Sequence, residues 1–143
     1  MDATVEIKGV QGVGMPDAEE TDFVTDADFT AENGTYTIMY YESPITGLEG
    51  TKTTIEVTGD VVTVTHEGML NSKMTFREGE RNYFLYDTSY GSARMELEAR
   101  RISSDLGEDG GTLNIDYVVN MEHAVASRNA LTINVRGVKK CQT

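Results

Sequence analysis

Six side chains could meet a ligand: Tyr40, Glu42, Lys52, Thr54, His66 and Tyr90. Tyr40 and Glu42 lie two residues apart, as do Lys52 and Thr54, and a spacing of two puts each pair on one face of a strand. With both faces turned inward, the Glu42 carboxylate and the Lys52 ammonium would meet beside the Tyr40 hydroxyl, next to the loop Ser43-Pro44-Ile45-Thr46-Gly47. A few polar groups set over an apolar pocket is how small-molecule sites are built. The same residues also read as an ion pair pinning a loop, or as two charges in solvent. Acid–base catalysis by Glu42 with Tyr40 or Lys52 would need a tuned pKa within reach of a substrate, and the sequence displays neither. No residue is therefore assigned a catalytic role.

Other chemistries lack their parts. His66 and His123 are the only histidines, and zinc needs three or four ligands with two of them closely spaced. Asp105-x-x-Glu108-Asp109-Gly110 has carboxylates, but neither the spacing nor the flanking helices of a calcium loop, and reads as an acidic turn. Gly9-x-x-Gly12-x-Gly14 is followed by no Gly-Lys-Ser/Thr, so it reads as a strand end and not a phosphate loop. Ser89-Tyr90-Gly91 precedes a strand, which removes a nucleophile elbow. Cys141 follows Lys139 and Lys140, which would favour its thiolate, but it reads as a free thiol in a terminal tail. The expectation is no cofactor and no bound metal.

Charge narrows the partners. The formal net charge is −12, a field that repels phosphate backbones and anionic lipid, so neither nucleic acid nor a membrane surface is expected. Pro16–Asn33 holds seven acidic residues and no basic one, and reads as a solvated loop leading into an outer strand. Met1–Glu6 has no basic or apolar stretch of the signal-peptide kind, and the single cysteine permits no intrachain disulfide. A cytoplasmic protein is the expectation.

The elements that must position these side chains are strands. Thr, Val and Ile number 18, 13 and 7, against 9 Ala and 7 Leu, and β-branched side chains suit a pleated surface. Thr51–Thr58 and Val61–Glu67 alternate around Gly59-Asp60, the second with Val62, Val64 and His66 on one face. Asn71–Phe76 and Arg81–Tyr86 flank Glu78-Gly79. Ser92–Ile102 sets Ala93, Met95, Leu97 and Ala99 against Arg94, Glu96, Glu98 and Arg100. Thr112–Asn120 buries Leu113, Ile115, Tyr117 and Val119, and Ala130–Arg136 buries Leu131, Ile133 and Val135. Val5 and Ile7, the run Tyr36–Glu42 and the weaker run Thr21–Thr30 complete the set. Many short strands with regular turns and no helix predict one all-β domain, a sandwich or a barrel. It spans residues 1–143, with flexible stretches expected near 15–22 and at 138–143.

Several short motifs in order carry a family resemblance: Tyr40-Tyr41-Glu42, Lys52-Thr53-Thr54-Ile55, His66-Glu67-Gly68, Ser89-Tyr90-Gly91, Ile102-Ser103-Ser104-Asp105-Leu106 and Gly111-x-Leu113-x-Ile115-x-Tyr117. The chain resembles the YwiB-like family of small bacterial β-barrels, a domain of unknown function grouped with the calycin (lipocalin-like) folds. The resemblance implies a single antiparallel barrel of about eight to ten strands. It brings no activity, cofactor or catalytic residue to carry over.

A barrel of that size is either filled by side chains or holds one small ligand. The leading expectation is a non-enzymatic module binding a small, partly apolar molecule. The alternative is a packed barrel whose acidic surface meets a basic protein partner. A homodimer through a strand edge or an outer face is compatible with either.

Overall fold

In the computed structural model, which describes residues 1–14, 16–42, 48–121 and 127–139, every regular element is a strand. They are β1 (Asp2–Gln11), β2 (Glu19–Glu32), β3 (Thr35–Tyr41), β4 (Lys52–Thr58), β5 (Val61–Glu67), β6 (Leu70–Arg77), β7 (Arg81–Thr88), β8 (Gly91–Ser104), β9 (Gly111–Met121) and β10 (Ser127–Lys139). Each pairs antiparallel with its neighbour in sequence, and β1 pairs with β10, so the sheet closes into a ten-strand up-and-down barrel. Closure removes the unpaired edges that would template aggregation.

Turn chemistry matches the path. Asn33 and Gly34 both have positive φ, as a two-residue turn between twisted strands requires, and they join β2 to β3. Asp105–Gly110 is the turn before β9: the Asp105 carboxylate accepts from the Thr112 amide, and Gly107 and Gly110 exchange backbone hydrogen bonds. Gly12 and Val13 both donate their amides to the Arg128 carbonyl, which ties the end of β1 to β10.

Two expectations about order change. Glu19–Asp22, read as part of a flexible loop, belong to β2 and pair with Thr21's partner Gly9 and its neighbours in β1. The period of two explains it: Phe23 and Phe29 point inward while Glu20, Asp22, Asp26, Asp28 and Glu32 project outward, so an acidic strand is amphipathic rather than disordered. At the other terminus Val138 and Lys139 extend β10, with Lys139 opposite Asp2, where a tail was expected; Lys140 to Thr143, including Cys141, lie outside the described residues.

The core fills one half of the barrel. Val5, Phe29, Ile38, Val57, Val62, Phe76, Leu97, Leu113, Ile133 and Val135 converge there, and Leu106 from the β8–β9 turn joins the same cluster. Burying a side chain of this kind stabilises by about 1.5–3 kcal/mol. The other half is bounded by the ends of β1, β3, β5, β7 and β9 and the starts of β2, β4, β6, β8 and β10. One seam is loose: β6 and β7 pair in register only at Leu70–Thr88 and Asn71–Asp87, and below that the Asn82 amide reaches across to the Thr75 carbonyl at 3.0 Å.

Gly68, between β5 and β6, has φ +150°, and a Cβ there would lie 2.8 Å from Thr51 Cα. Gly68→Ala is therefore expected to destabilise the barrel by about 1–3 kcal/mol. Gly9→Ala, where a Cβ meets nothing within 4 Å, is expected to leave stability unchanged or slightly raised. Urea midpoints of the two variants against the parent protein check both.

Candidate functional site

The open half of the barrel contains a cross-strand row of polar side chains. Tyr40 on β3 stands opposite Thr53 on β4, Thr53 opposite His66 on β5, and His66 opposite Ser72 on β6. Directly opposite residues on one face approach closely enough to interact, so register alone assembles the set. The next row inward, Ile38, Ile55, Val64 and Met74, is apolar. The polar row thus lies at the boundary between the packed core and the open half.

Glu42 follows Tyr40 on the same face and is 7% exposed. Its amide donates to the Thr51 carbonyl at 2.8 Å, which extends the β3–β4 pairing beyond the strand end and holds the carboxylate inside. The Thr53 hydroxyl donates to Glu42 Oε1 at 2.7 Å and lies 2.9 Å from His66 Nδ1. A hydroxyl carries one proton. With that proton on Glu42, the Thr53 oxygen accepts from His66, so Nδ1 bears the imidazole hydrogen and Nε2 is left as an acceptor. Hydrogen bonds therefore run in one direction, from His66 through Thr53 to Glu42.

Burial shifts the neighbouring groups. The His66 ring is held below its usual value of 6.5 by desolvation, which outweighs the attraction of the Glu42 charge, so it is neutral at pH 7. The Tyr40 hydroxyl is pushed far above its ordinary value, first by burial and then by the charge of Glu42 and a hydrogen bond to it. Burial also raises Tyr117. Both phenols stay protonated. Edge-on aromatic contacts fix their rings: Phe23 to Tyr40 at 6.2 Å and Phe76 to Tyr117 at 5.1 Å between centroids.

Two adjoining cavities occupy this half, of about 370 and about 320 Å³. Gln11, Leu48, His66, Met74 and Tyr117 line both. Tyr40, Glu42, Glu19 and Phe23 face the first; Ser72, Phe84, Tyr86, Met95 and Asn129 face the second. Ser72 is 9% exposed and its hydroxyl has no hydrogen-bond partner among the described residues. An unpaired buried hydroxyl costs about 1–3 kcal/mol, so the Ser72 hydroxyl is the polar group in the wall of the second cavity with hydrogen-bonding capacity to spare among the described residues. It opens beside the β6–β7 seam, where Tyr86 points inward yet is 37% exposed.

Of the six residues singled out by sequence, Tyr40, Glu42 and His66 line this space. Lys52 and Thr54 do not. They share the outer face of β4 with Glu56, and Lys52 lies between Tyr41 and Glu67, so the expected pairing of Lys52 with Glu42 is absent. Parity is the reason: Ile55 and Val57 are the buried face, and they share it with Thr53. Tyr90 is 99% exposed in the β7–β8 turn and lines neither cavity. His123 and the loop 43–47 lie outside the described residues. Among the described residues no three His, Cys, Asp or Glu side chains converge as a metal site. Thr53 and Ser72 were missed, although both could have been found by carrying the buried face of β4 and β6 one row further.

The network yields two expectations. Thr53→Val strands the Glu42 carboxylate and the His66 Nδ1 hydrogen together, and is expected to destabilise by about 1–3 kcal/mol, with Thr53→Ser costing less. His66, facing Glu42, Tyr40 and Tyr117, titrates near 6.5 when unfolded and lower when folded. Below 6.5 the unfolded state therefore binds more protons. The His66 contribution is complete above that value and is lost as pH falls towards the folded pKa. His66→Asn, which keeps a donor for Thr53, should flatten this part of the slope in urea midpoints taken from about pH 7.5 down to about pH 5.

Comparison with known proteins agrees with the architecture. The crystal structure of YwiB protein from Bacillus subtilis superposes with a TM-score of 0.83 over 96% of this chain and 92% of that one, at 23% identity, which establishes a shared fold. No curated protein matches the sequence. No helix among the described residues is long and apolar enough to cross a membrane. The sequence model of a family described as a domain of unknown function, DUF1934, matches residues 5–133, and the chain belongs to that family.

Proposed function

We propose that this barrel is a non-enzymatic binding module for a small, partly apolar molecule held in its open half. The observation that carries the reading is the buried Ser72 hydroxyl, without a partner among the described residues, in the wall of a cavity otherwise rich in Leu70, Met74, Phe84, Met95 and Val119. A packed interior would leave no such space beside a buried polar group. Together the two cavities fall within the size range of ordinary ligand pockets, and their mix of many apolar walls with few polar groups is the usual one. His66, Thr53 and Glu42 form a directed chain, but among the described residues no hydroxyl is hydrogen-bonded to His66 Nε2 as a nucleophile would be, and binding needs less of the geometry than turnover does. A chain of net charge −12 with one cysteine suits the cytosol, where we place it.

Native mass spectrometry of freshly purified protein, against the denatured mass of the same sample, tests the reading. A discrete excess lost on denaturation supports it and begins to identify the ligand. Where the mass is bare, the neutral dye Nile red provides the second measurement. Saturable fluorescence enhancement, weakened about tenfold or more by Met74→Trp, is expected because Met74 lines both cavities. No enhancement in the parent protein would sink the proposal.

One observation favours a second reading. Glu20, Asp22, Asp26, Asp28 and Glu32 form an acidic stripe along the outer face of β2, with Asp2 and Glu6 of β1 beside it. Such a stripe would meet a basic protein. Capture of a basic partner that collapses between low and moderate salt would support this reading, and salt-independent capture would count against it.

A further inference from the structure

The charges around the open half are sorted by side of the sheet. Glu19 and Glu42 line the first cavity, and no lysine or arginine lines either one among the described residues. The basic side chains near this end all project outward: Lys8 and Lys52 on the outer faces of β1 and β4, Lys73 between the inward Ser72 and Met74, and Arg94 over the Tyr83 ring at 4.4 Å. Arg128 faces a separate outer hollow with Arg100 and Arg101. Among the described residues, the connections at this end contain Asp17, Glu42 and Glu49 and no lysine or arginine.

Hydrogen-bonding capacity points the same way. His66 is neutral with Nε2 free to accept, and it has no partner there among the described residues. The Thr53 hydroxyl hydrogen is already given to Glu42. Tyr40 directs its own at the same carboxylate. The first cavity thus offers a buried carboxylate and an imidazole acceptor beside the neutral donors Gln11, Thr21 and Tyr117, and no cation among the described residues. An anion placed there would meet one buried carboxylate and one at the rim, with no cation to offset them; a cation bearing N–H groups would find both charge and acceptors.

Resting on the binding reading above, we infer that the ligand is an organic ammonium: a protonated amine carried on an apolar body. Its N–H groups are directed at Glu42 and His66 Nε2, and Glu19 stands at the rim. The apolar body extends past Met74 and Tyr117 into the second cavity. The field of a chain at −12 draws such a cation inward and repels a fatty acid or a phosphorylated molecule of the same size.

The test uses three probes with one body and different heads, n-octylammonium, n-octanol and n-octanoate, each displacing Nile red from the whole chain at neutral pH. The expected order is ammonium tightest, at least about tenfold over the alcohol, with octanoate weakest. Glu42→Gln should bring ammonium and alcohol to within about threefold of each other while octanol affinity is kept. Because Glu42 is buried in the network, Glu19→Gln is the companion variant; it lies at the rim, outside the hydrogen-bonded chain, and should erode the ammonium preference without touching folding. Equal affinity for the three probes, a preference for octanoate, or Nile red that none of them displaces would overturn the ammonium assignment and leave the cavity reading standing. Failure of Nile red itself to bind would remove both.

Discussion

Everything in this molecule depends on the pairing of β1 with β10. That contact turns a meander of ten strands into a closed surface, and closure gives the side-chain alternation an absolute meaning, since apart from the register shifts at Asp2/Thr4 and Ala99/Arg101 every second residue of a strand is committed to a single enclosed interior. Ten strands enclose more room than eight, and bulk is spent unevenly. Phenylalanine, leucine, isoleucine and valine occupy the half near Leu106, whereas Gly9, Thr21 and Ser72 face the interior at the other end. The same closure therefore produces a solid core and a chamber, and the boundary between them is a matter of residue size along each strand.

At that boundary the polar row is held by sheet register rather than by any special loop. Tyr40, Thr53, His66 and Ser72 are neighbours because β3, β4, β5 and β6 are in step. The row is energetically lopsided. Three members share hydrogen bonds that end on a buried carboxylate, and in a medium less polar than water those bonds strengthen one another. The fourth, Ser72, has no hydrogen-bond partner among the described residues.

How much of this was legible in the sequence follows from which signals are periodic. The alternations of β3, β5, β8, β9 and β10 identify the inward faces directly, and with them Tyr40, Glu42, His66 and Tyr117. β4 misled because opposite charges at Glu42 and Lys52 suggest a pair, although Ile55 and Val57 commit the other parity to the core; apolar alternation outranks charge matching when one face is buried. Thr53 and Ser72 carried no signal as residue types, since threonine and serine sit equally well on either face. Of β2 only the weak run Thr21–Thr30 is legible, and its start at Glu19 and Glu20 reads as loop, because its outward half is largely acidic and Phe23 and Phe29 are its large inward side chains. The neighbour relation of Thr53 with both Glu42 and His66 needs a register, and a register exists only once the barrel is closed.

The seam between β6 and β7 is the remaining piece of the same logic. Elsewhere adjacent strands pair along most of their length, but here pairing stops after Leu70–Thr88 and Asn71–Asp87, and the Asn82 side chain spans what the backbone does not. Backbone groups that give up their ladder partners must be met by side chains or water, so such a parting is tolerated only where solvent or an open space borders it. The second cavity is that space, walled on either side of the seam by Ser72 and Met74 from β6 and by Phe84 and Tyr86 from β7. The loose seam, the second cavity and the Ser72 hydroxyl, which has no partner among the described residues, thus share one local arrangement: a barrel whose β6–β7 pairing is incomplete beside the chamber it encloses.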